Sequence, residues 1–452
     1  MIIRRGQEEI SISKEGNTIM QPKYSFLSSF SGVTFLAIAS FGSVQAAPFL
    51  IVGNDEKLLW DDQGKPIVSP AGKDSVVILD LANPESPKIV ANLPLKNSIV
   101  GPPVNLAIDP TNSIALVADS IDVTKDGDAL KMNPDNKVYV IDLKANPPKL
   151  TDTVTVGKQP SGLSFNPAGN LALVTNRADK SISVLSVKGT DVKVIDTVDM
   201  GDIVSHVEFT PDGKRALATK FNAHKVSLLD INGDKVTYTK LDLPTGQWPY
   251  NVAVAPSGKI ALTADNGGAG SSDGSVDTVS VVDLELNPIR ITDRVVVGDG
   301  PEGLAISPKG DVAVAVILEG SNNKSAYFYK RNGSAAVLRI DGKKVTKVGD
   351  VELGGLPEGA AFTPDGKYLF ACWVPPSLAH EDMTISVRLS FKQNGEILGA
   401  PLITYMSVGI SEDERQAYRA AVDETLARCT PLPLSYAFGS VIAGRPIYAR
   451  FH

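Results

Sequence analysis

A few polar side chains stand at repeated offsets along this chain, and together they could hold a ligand. Asn105, His206 and Asn251 each open a copy of a recurring phrase, where other copies carry Gly162, Gly303 and Gly359. Glu302 and Glu358 lie one residue earlier in their copies, and Trp248 lies close by. Asn, His and Glu set around one axis would suit a divalent cation, because hard cations take carboxylate and amide oxygens. They would equally suit a small polar ligand, or simply tie backbone groups at strand edges. His206 is the only histidine of the series and could act as a general base or metal ligand. Three other features read as structure rather than chemistry. His224, in FNAHKV, reads as a solvated loop residue. GGAGSSDGSVDT (267–278) lacks the lysine and the strand-to-helix setting of a phosphate loop, and reads as a flexible connection. Asp122, Asp126 and Asp128 lack the distal glutamate of a calcium loop, and read as a solvated insertion. No Ser/His/Asp order, CxxC or HxxxH pair is present.

The elements that must position these residues are visible in the repeat itself. The phrase reads NLAIDPTNSIALVAD (105–119), GLSFNPAGNLALVTN (162–176), HVEFTPDGKRALATK (206–220), NVAVAPSGKIALTAD (251–265), GLAISPKGDVAVAVI (303–317) and GAAFTPDGKYLFACW (359–373). Its prolines are spaced by 57, 44, 45, 52 and 56 residues. Each copy predicts a short strand, a proline-glycine turn and a second strand. A third strand follows, as in KVSLLDI (225–231), and then a fourth, as in KVTYTKLDL (235–243). Valine, isoleucine and threonine fill these runs, as strands prefer. Four strands per unit of about 46 residues is a β-propeller blade. Five units are complete, and residues 50–98 supply strands without the Pro-Gly phrase. After Trp373 the chain reads VPPSLAHEDM, so the last unit lacks its outer strands. The expectation is a mainly β chain: a seven-bladed β-propeller over 47–375 with an incomplete last blade, its gap filled in part by TISVRLSF (384–391).

Residues 376–383 read as a linker, and 384–452 as a small α+β domain of β-β-α-β order. Asn394-Gly395 marks a hairpin turn. Ser411 with Glu414 forms a capping box for a helix burying Ala417, Ala421, Leu426 and Cys429, while Arg415 and Glu424 face solvent. RPIYARF (445–451) reads as the final strand. Residues 1–46 read as a leader. Within it, 20–46 has the charged, apolar and small-x-small segments of a secretory signal, with cleavage before Ala47 and Met20 as the true start. Its apolar core is too short to span a bilayer. The net charge of −7 argues against a nucleic-acid surface. The expected setting is periplasmic, as a monomer with no membrane span in the mature chain. Cys372 and Cys429 could pair across the two domains, though nothing in the sequence constrains them to.

Residues 50–373 resemble the YVTN-repeat, lactonase-like family of exported seven-bladed propellers, through the SPDG-like, ALV, VSVIDL-like and VTVG phrases. The tail resembles the C-terminal domain of TonB and TolA, through VRLSFKQNGEILGAP, the helix ending LARCTPLPL, and AGRPIYARF. The lactonase-like family includes binders, sensors and catalysts. The first expectation is therefore a binding or scaffold propeller without a cofactor, for a small ligand or an envelope protein. The first rival is a lactonase-like hydrolase using funnel-mouth His, Glu and Asn with a divalent metal. The second rival is a TonB/TolA-like adaptor that docks by adding a strand to a partner sheet.

Overall fold

The computed structural model describes Ile2–Arg4, residues 48–374 apart from 56, 61–65, 71, 73, 98–100 and 128, residues 385–406, and positions 415, 419, 422, 426, 440, 441, 443–445 and 447–451. The signal-peptide segment and the proposed linker lie outside the described residues. The chain divides into two compact units, Met1–Val374 and Pro375–His452.

The first unit is a succession of antiparallel sheets, here called blades 1 to 7. Blade 1 has three strands, Phe49–Asn54, Ser75–Asp80 and Lys88–Leu93. Blades 2 to 6 have four strands each, and their inner strands are Leu106–Ile108, Pro160–Phe165, Val204–Phe209, Pro249–Val254 and Pro301–Ile306. Blade 7 has inner strand Gly355–Phe362 and second strand Tyr368–Val374. The β-propeller is thus a ring of seven sheets. Its hydrophobic core lies between neighbouring blades. Ile114, Leu116, Val138 and Val140 of blade 2 pack with Leu163, Val174, Leu185 and Val187 of blade 3. Each such side chain contributes about 1.5–3 kcal/mol when fully buried.

The proline-glycine turn has a packing role that explains its recurrence. Gly213 holds φ 67°, and a Cβ there would stand 3.5 Å from Cδ of Pro167 in the preceding blade. The same contact joins Gly169 to Pro110, Gly258 to Pro211, Gly310 to Pro256 and Gly366 to Pro308. Each turn therefore leans on the proline of the blade before it. A hydroxyl ahead of the proline locks the turn: Thr210 Oγ1 donates to Asp212 at 2.6 Å, and Thr363 to Asp365 at 2.6 Å.

Two expectations about the ends of the ring are corrected. TISVRLSF does not complete blade 7. Its strand Ile385–Leu389 lies between Leu402–Met406 and Ile447–Phe451 in the tail's own sheet. The third strand of blade 7 is Ile2–Arg4, antiparallel to Tyr368–Phe370. The start of the chain thus satisfies backbone groups on an edge that would otherwise be open.

The aspartate-rich insertion is exposed at Asp126, as expected, while the glycine-rich one differs from expectation. The aspartate-rich stretch is an extension of the Ile114–Asp126 and Ala129–Asp142 hairpin, and Asp122 accepts from Lys96 Nζ at 2.7 Å. Asp128 lies outside the described residues. The loop before Asp277 is anchored, not free. Ser272 is buried and accepts from Gly320 N at 2.9 Å, and Asp299 accepts from the Asp273 and Gly274 amides.

In the tail, Gly395 takes φ 85° in the expected turn. Arg415, Arg419, Val422 and Leu426 are helical, and Val422 and Leu426 pack on Ile385, Val387, Leu389 and Phe391. Val422 was not in the expected stripe. Arg415 is half-buried rather than in solvent. Ala417, Ala421, Glu424 and Cys429 lie outside the described residues.

Candidate functional site

One irregularity repeats in the inner strands and aims the site. Pairing with the second strand slips between Pro160 and Leu163, Val204 and Val207, Pro249 and Asn251, Pro301 and Leu304, and Pro357 and Ala360. Such a bulge re-aims side chains. Here it falls on Ser161, Ser205, Tyr250, Glu302 and Glu358. The second strands end at the same level. The amides of Arg177, Phe221, Asn266 and Leu318 donate to the carbonyls of Gln159, Ile203, Trp248 and Gly300 at 2.8–3.0 Å. Residues from consecutive blades therefore meet at one end of the ring.

Glu302 and Glu358 are brought together and hydrogen-bond to each other. Burial pushes both carboxyls upward, Glu302 well above the carboxylate range, with the charge of Glu358 adding to its shift. Two carboxyls this close retain a shared proton at neutral pH. Asn266 Nδ2 stands 3.5 Å from Glu302 Oε1. Arg177, only 8% exposed, lowers the Glu302 carboxyl and hydrogen-bonds the Tyr250 hydroxyl. Its guanidinium lies 5.2 Å from the Phe221 ring centre and 5.7 Å from that of Tyr250. Phe221 packs in turn on Trp248, with ring centroids 5.0 Å apart. Trp248 has φ 54°, an uncommon conformation for a bulky residue. His224 holds it there, accepting the Trp248 amide on Nδ1 at 2.9 Å and meeting the indole edge-on at 4.7 Å. The expectation of a solvated His224 is thereby corrected: a half-buried imidazole accepts the hydrogen of the turned Trp248 amide.

His206 and Asn251 form a neighbouring pair. His206 Nδ1 accepts Val252 N–H at 3.3 Å, joining blade 4 to blade 5. Burial lowers the His206 pKa to about 4, against a weak opposing contribution from Asn251, so the ring is neutral at pH 7. With Nδ1 accepting, the proton is on Nε2, which faces Glu208 Oε2 at 3.9 Å. Glu208 is 35% exposed, yet surrounding protein pushes its pKa up to about 8. That combination fits a carboxyl lining a narrow channel, open to water but walled off from bulk solvent. Asn105 stays on its own blade edge, with Nδ2 3.4 Å from Ala118 O.

Of the six residues expected from sequence, Glu302 and Glu358 pair directly, His206 and Asn251 meet between blades 4 and 5, and Trp248 joins the aromatic wall. Arg177, Phe221, Tyr250 and Glu208 were not singled out, although each shares its repeat offset with residues in other blades. Among the described residues, no three His, Cys, Asp or Glu side chains are grouped to hold a metal ion.

Known proteins match this architecture at low identity. A functionally unknown protein from Desulfotomaculum acetoxidans DSM 771 superposes with a TM-score of 0.52 at 15% identity, covering 76% of this chain and 95% of that one. A candidate 6-phosphogluconolactonase from Bacteroides fragilis NCTC 9343 superposes with a TM-score of 0.50 at 17% identity, covering 80% and 96%. These likenesses establish the lactonase-like propeller fold and no activity. A family model described as "Uncharacterised conserved protein UCP034077" matches residues 363–452. That match begins in the turn before Tyr368–Val374, so it carries the last propeller strand together with the tail. No curated protein matches the chain. No helix among the described residues is long and apolar enough to cross a membrane.

Proposed function

We propose that the propeller is an exported, periplasmic binding module that takes a small polar ligand at the mouth of its central channel. The observation that carries this reading is the Glu302–Glu358 pair, buried at Glu302 and half-buried at Glu358, beside Arg177 and Tyr250. Withdrawing such acids and a guanidinium from water opposes folding, and clusters of perturbed ionisable groups gather where ligands bind. The Phe221–Trp248 wall supplies the apolar surface usual in such sites. The leader pattern supports export, and the TonB/TolA resemblance supports docking of the tail to an envelope partner by strand addition.

Thermal-shift measurements with polyols, hydroxy acids and lactones test the reading. At least one class should raise the melting temperature of the wild-type chain, and the rise should shrink in Glu358→Gln. No shift from any class would overturn it.

A second reading is favoured by the same pair, since a protonated carboxyl beside an ionisable one can serve as acid and base in lactone hydrolysis. Under this reading Glu302 would protonate the departing oxygen and Glu358 would activate water. Lactone hydrolysis by the purified chain, abolished in Glu358→Gln, would establish it. Binding without turnover would leave the first reading standing.

A further inference from the structure

Arg177 has a feature that neither the fold nor the acid pair explains. Its Nη1 is buried and has no hydrogen-bond partner among the described residues. No carboxylate among the described residues comes within ion-pair distance of it, and its contacts are two ring faces and the Tyr250 hydroxyl. Ser161 Oγ is likewise buried without a partner. Both atoms face the same spot. A Cβ built on Gly101 would lie 2.5 Å from Ser161 Oγ and 3.5 Å from Arg177 Nη1. Gly101 holds φ 146°, a conformation that side chains disfavour. A glycine therefore covers two polar hydrogens that have nowhere to go. A buried donor left unsatisfied is costly, and a charged one more so.

We infer that the mouth binds a small monocarboxylate, whose oxygens accept hydrogen bonds from Arg177 Nη1 and Ser161 Oγ. This rests on the reading of the mouth as a ligand site and names the chemistry the site takes. A carboxylate completes the coordination of the guanidinium and offers two acceptors to two donors. A single negative charge balances Arg177. A dianion such as phosphate would place a second charge beside the Glu302–Glu358 pair, where repulsion in a poorly solvated site opposes it. Because Gly101 covers both donors, its backbone shifts outward as the ligand seats.

Calorimetric titration of the full chain tests this with mandelate, an aromatic hydroxy acid, against its neutral amide and inorganic phosphate. Mandelate should bind, while mandelamide and phosphate should bind at least about tenfold more weakly. Arg177→Gln should abolish that preference, and Ser161→Ala should weaken mandelate several-fold without affecting mandelamide. Should Arg177→Gln fail to fold, Arg177→Lys serves instead. It keeps the charge, loses the fork, and should bind mandelate more weakly than wild type. Equal binding of acid and amide, or tighter binding of phosphate, overturns the carboxylate assignment and leaves the mouth as a ligand site. Binding of the polyol sorbitol in place of mandelate has the same meaning. Silence from all four compounds removes the assignment, and silence from a lactone as well removes the reading beneath it.

Discussion

At the scale of single residues, the site is a set of ionisable groups held away from their ordinary protonation. Both carboxyls of the Glu302–Glu358 pair are raised by burial, and Glu302 further by the charge of Glu358. The folded state then keeps a proton that the unfolded chain has lost above about pH 4.5, so stability falls as pH rises from there through the raised pKa. Glu302→Gln, which mimics the protonated acid, should be close to wild type in melting temperature below pH 4.5 and more stable than wild type at pH 8 to 9. A constant offset at all pH values would mean the pair is not strained. His206 has the opposite sign. Its pKa is lowered to about 4 from 6.5, so the unfolded chain binds a proton that the folded one refuses. Stability is full above pH 6.5 and is lost as pH falls towards 4, by roughly 3 kcal/mol. His206→Asn can still accept Val252 N–H, and should flatten the acid limb of a urea-unfolding series between pH 6.5 and 4. Glu302 and Glu358 were legible in the sequence because equal offsets in successive repeats point the same way. Arg177 was not, because it follows the second strand, and its closeness to Tyr250 is a contact between blades.

At the scale of elements, the repeated turn is the unit of assembly. Pro110 to Pro308 each receive the turn glycine of the next blade, which accounts for why the pair recurs while its neighbours vary. Gly213→Val should be destabilising by more than about 1 kcal/mol, because φ 67° disfavours a β-branched residue and the added side chain meets Pro167. Equilibrium denaturation checks this, and a neutral result would remove the turn from the account of the ring. The strand Ile2–Arg4 raises a sharper matter. Cleavage after Ala46 removes it and leaves two strands in blade 7, so export with processing and closure by the chain start exclude each other. Intact-mass measurement on protein recovered from a periplasmic fraction separates them. The export proposal expects a chain beginning at Ala47, with a melting temperature a few degrees below that of the unprocessed chain. A mass that includes Met1 would reject processing and keep the strand.

At the scale of the whole molecule, the chain is two compact units, each with its own core. Limited proteolysis should cut near 375–383 and release a stable fragment of about 70 residues, as the reading of 376–383 as a linker expects. Release only after reduction would show Cys372 paired with Cys429, and complete loss of the tail would show that it cannot stand alone. The number of blades and the four strands of blades 2 to 6 were determined by the sequence. Period, alternation and turn residues are local properties, and local properties are written in neighbouring residues. The tertiary structure alone decided that Ile2–Arg4 and not TISVRLSF borders blade 7. Strand pairing at an edge depends on which segment arrives in register, and no pattern within either segment records that. It also decided that Glu302 meets Glu358, and that Arg177 lies between Phe221 and Tyr250 without a carboxylate. Those are meetings between residues of different blades, 44 to 73 positions apart in the chain, made by the closing of the ring.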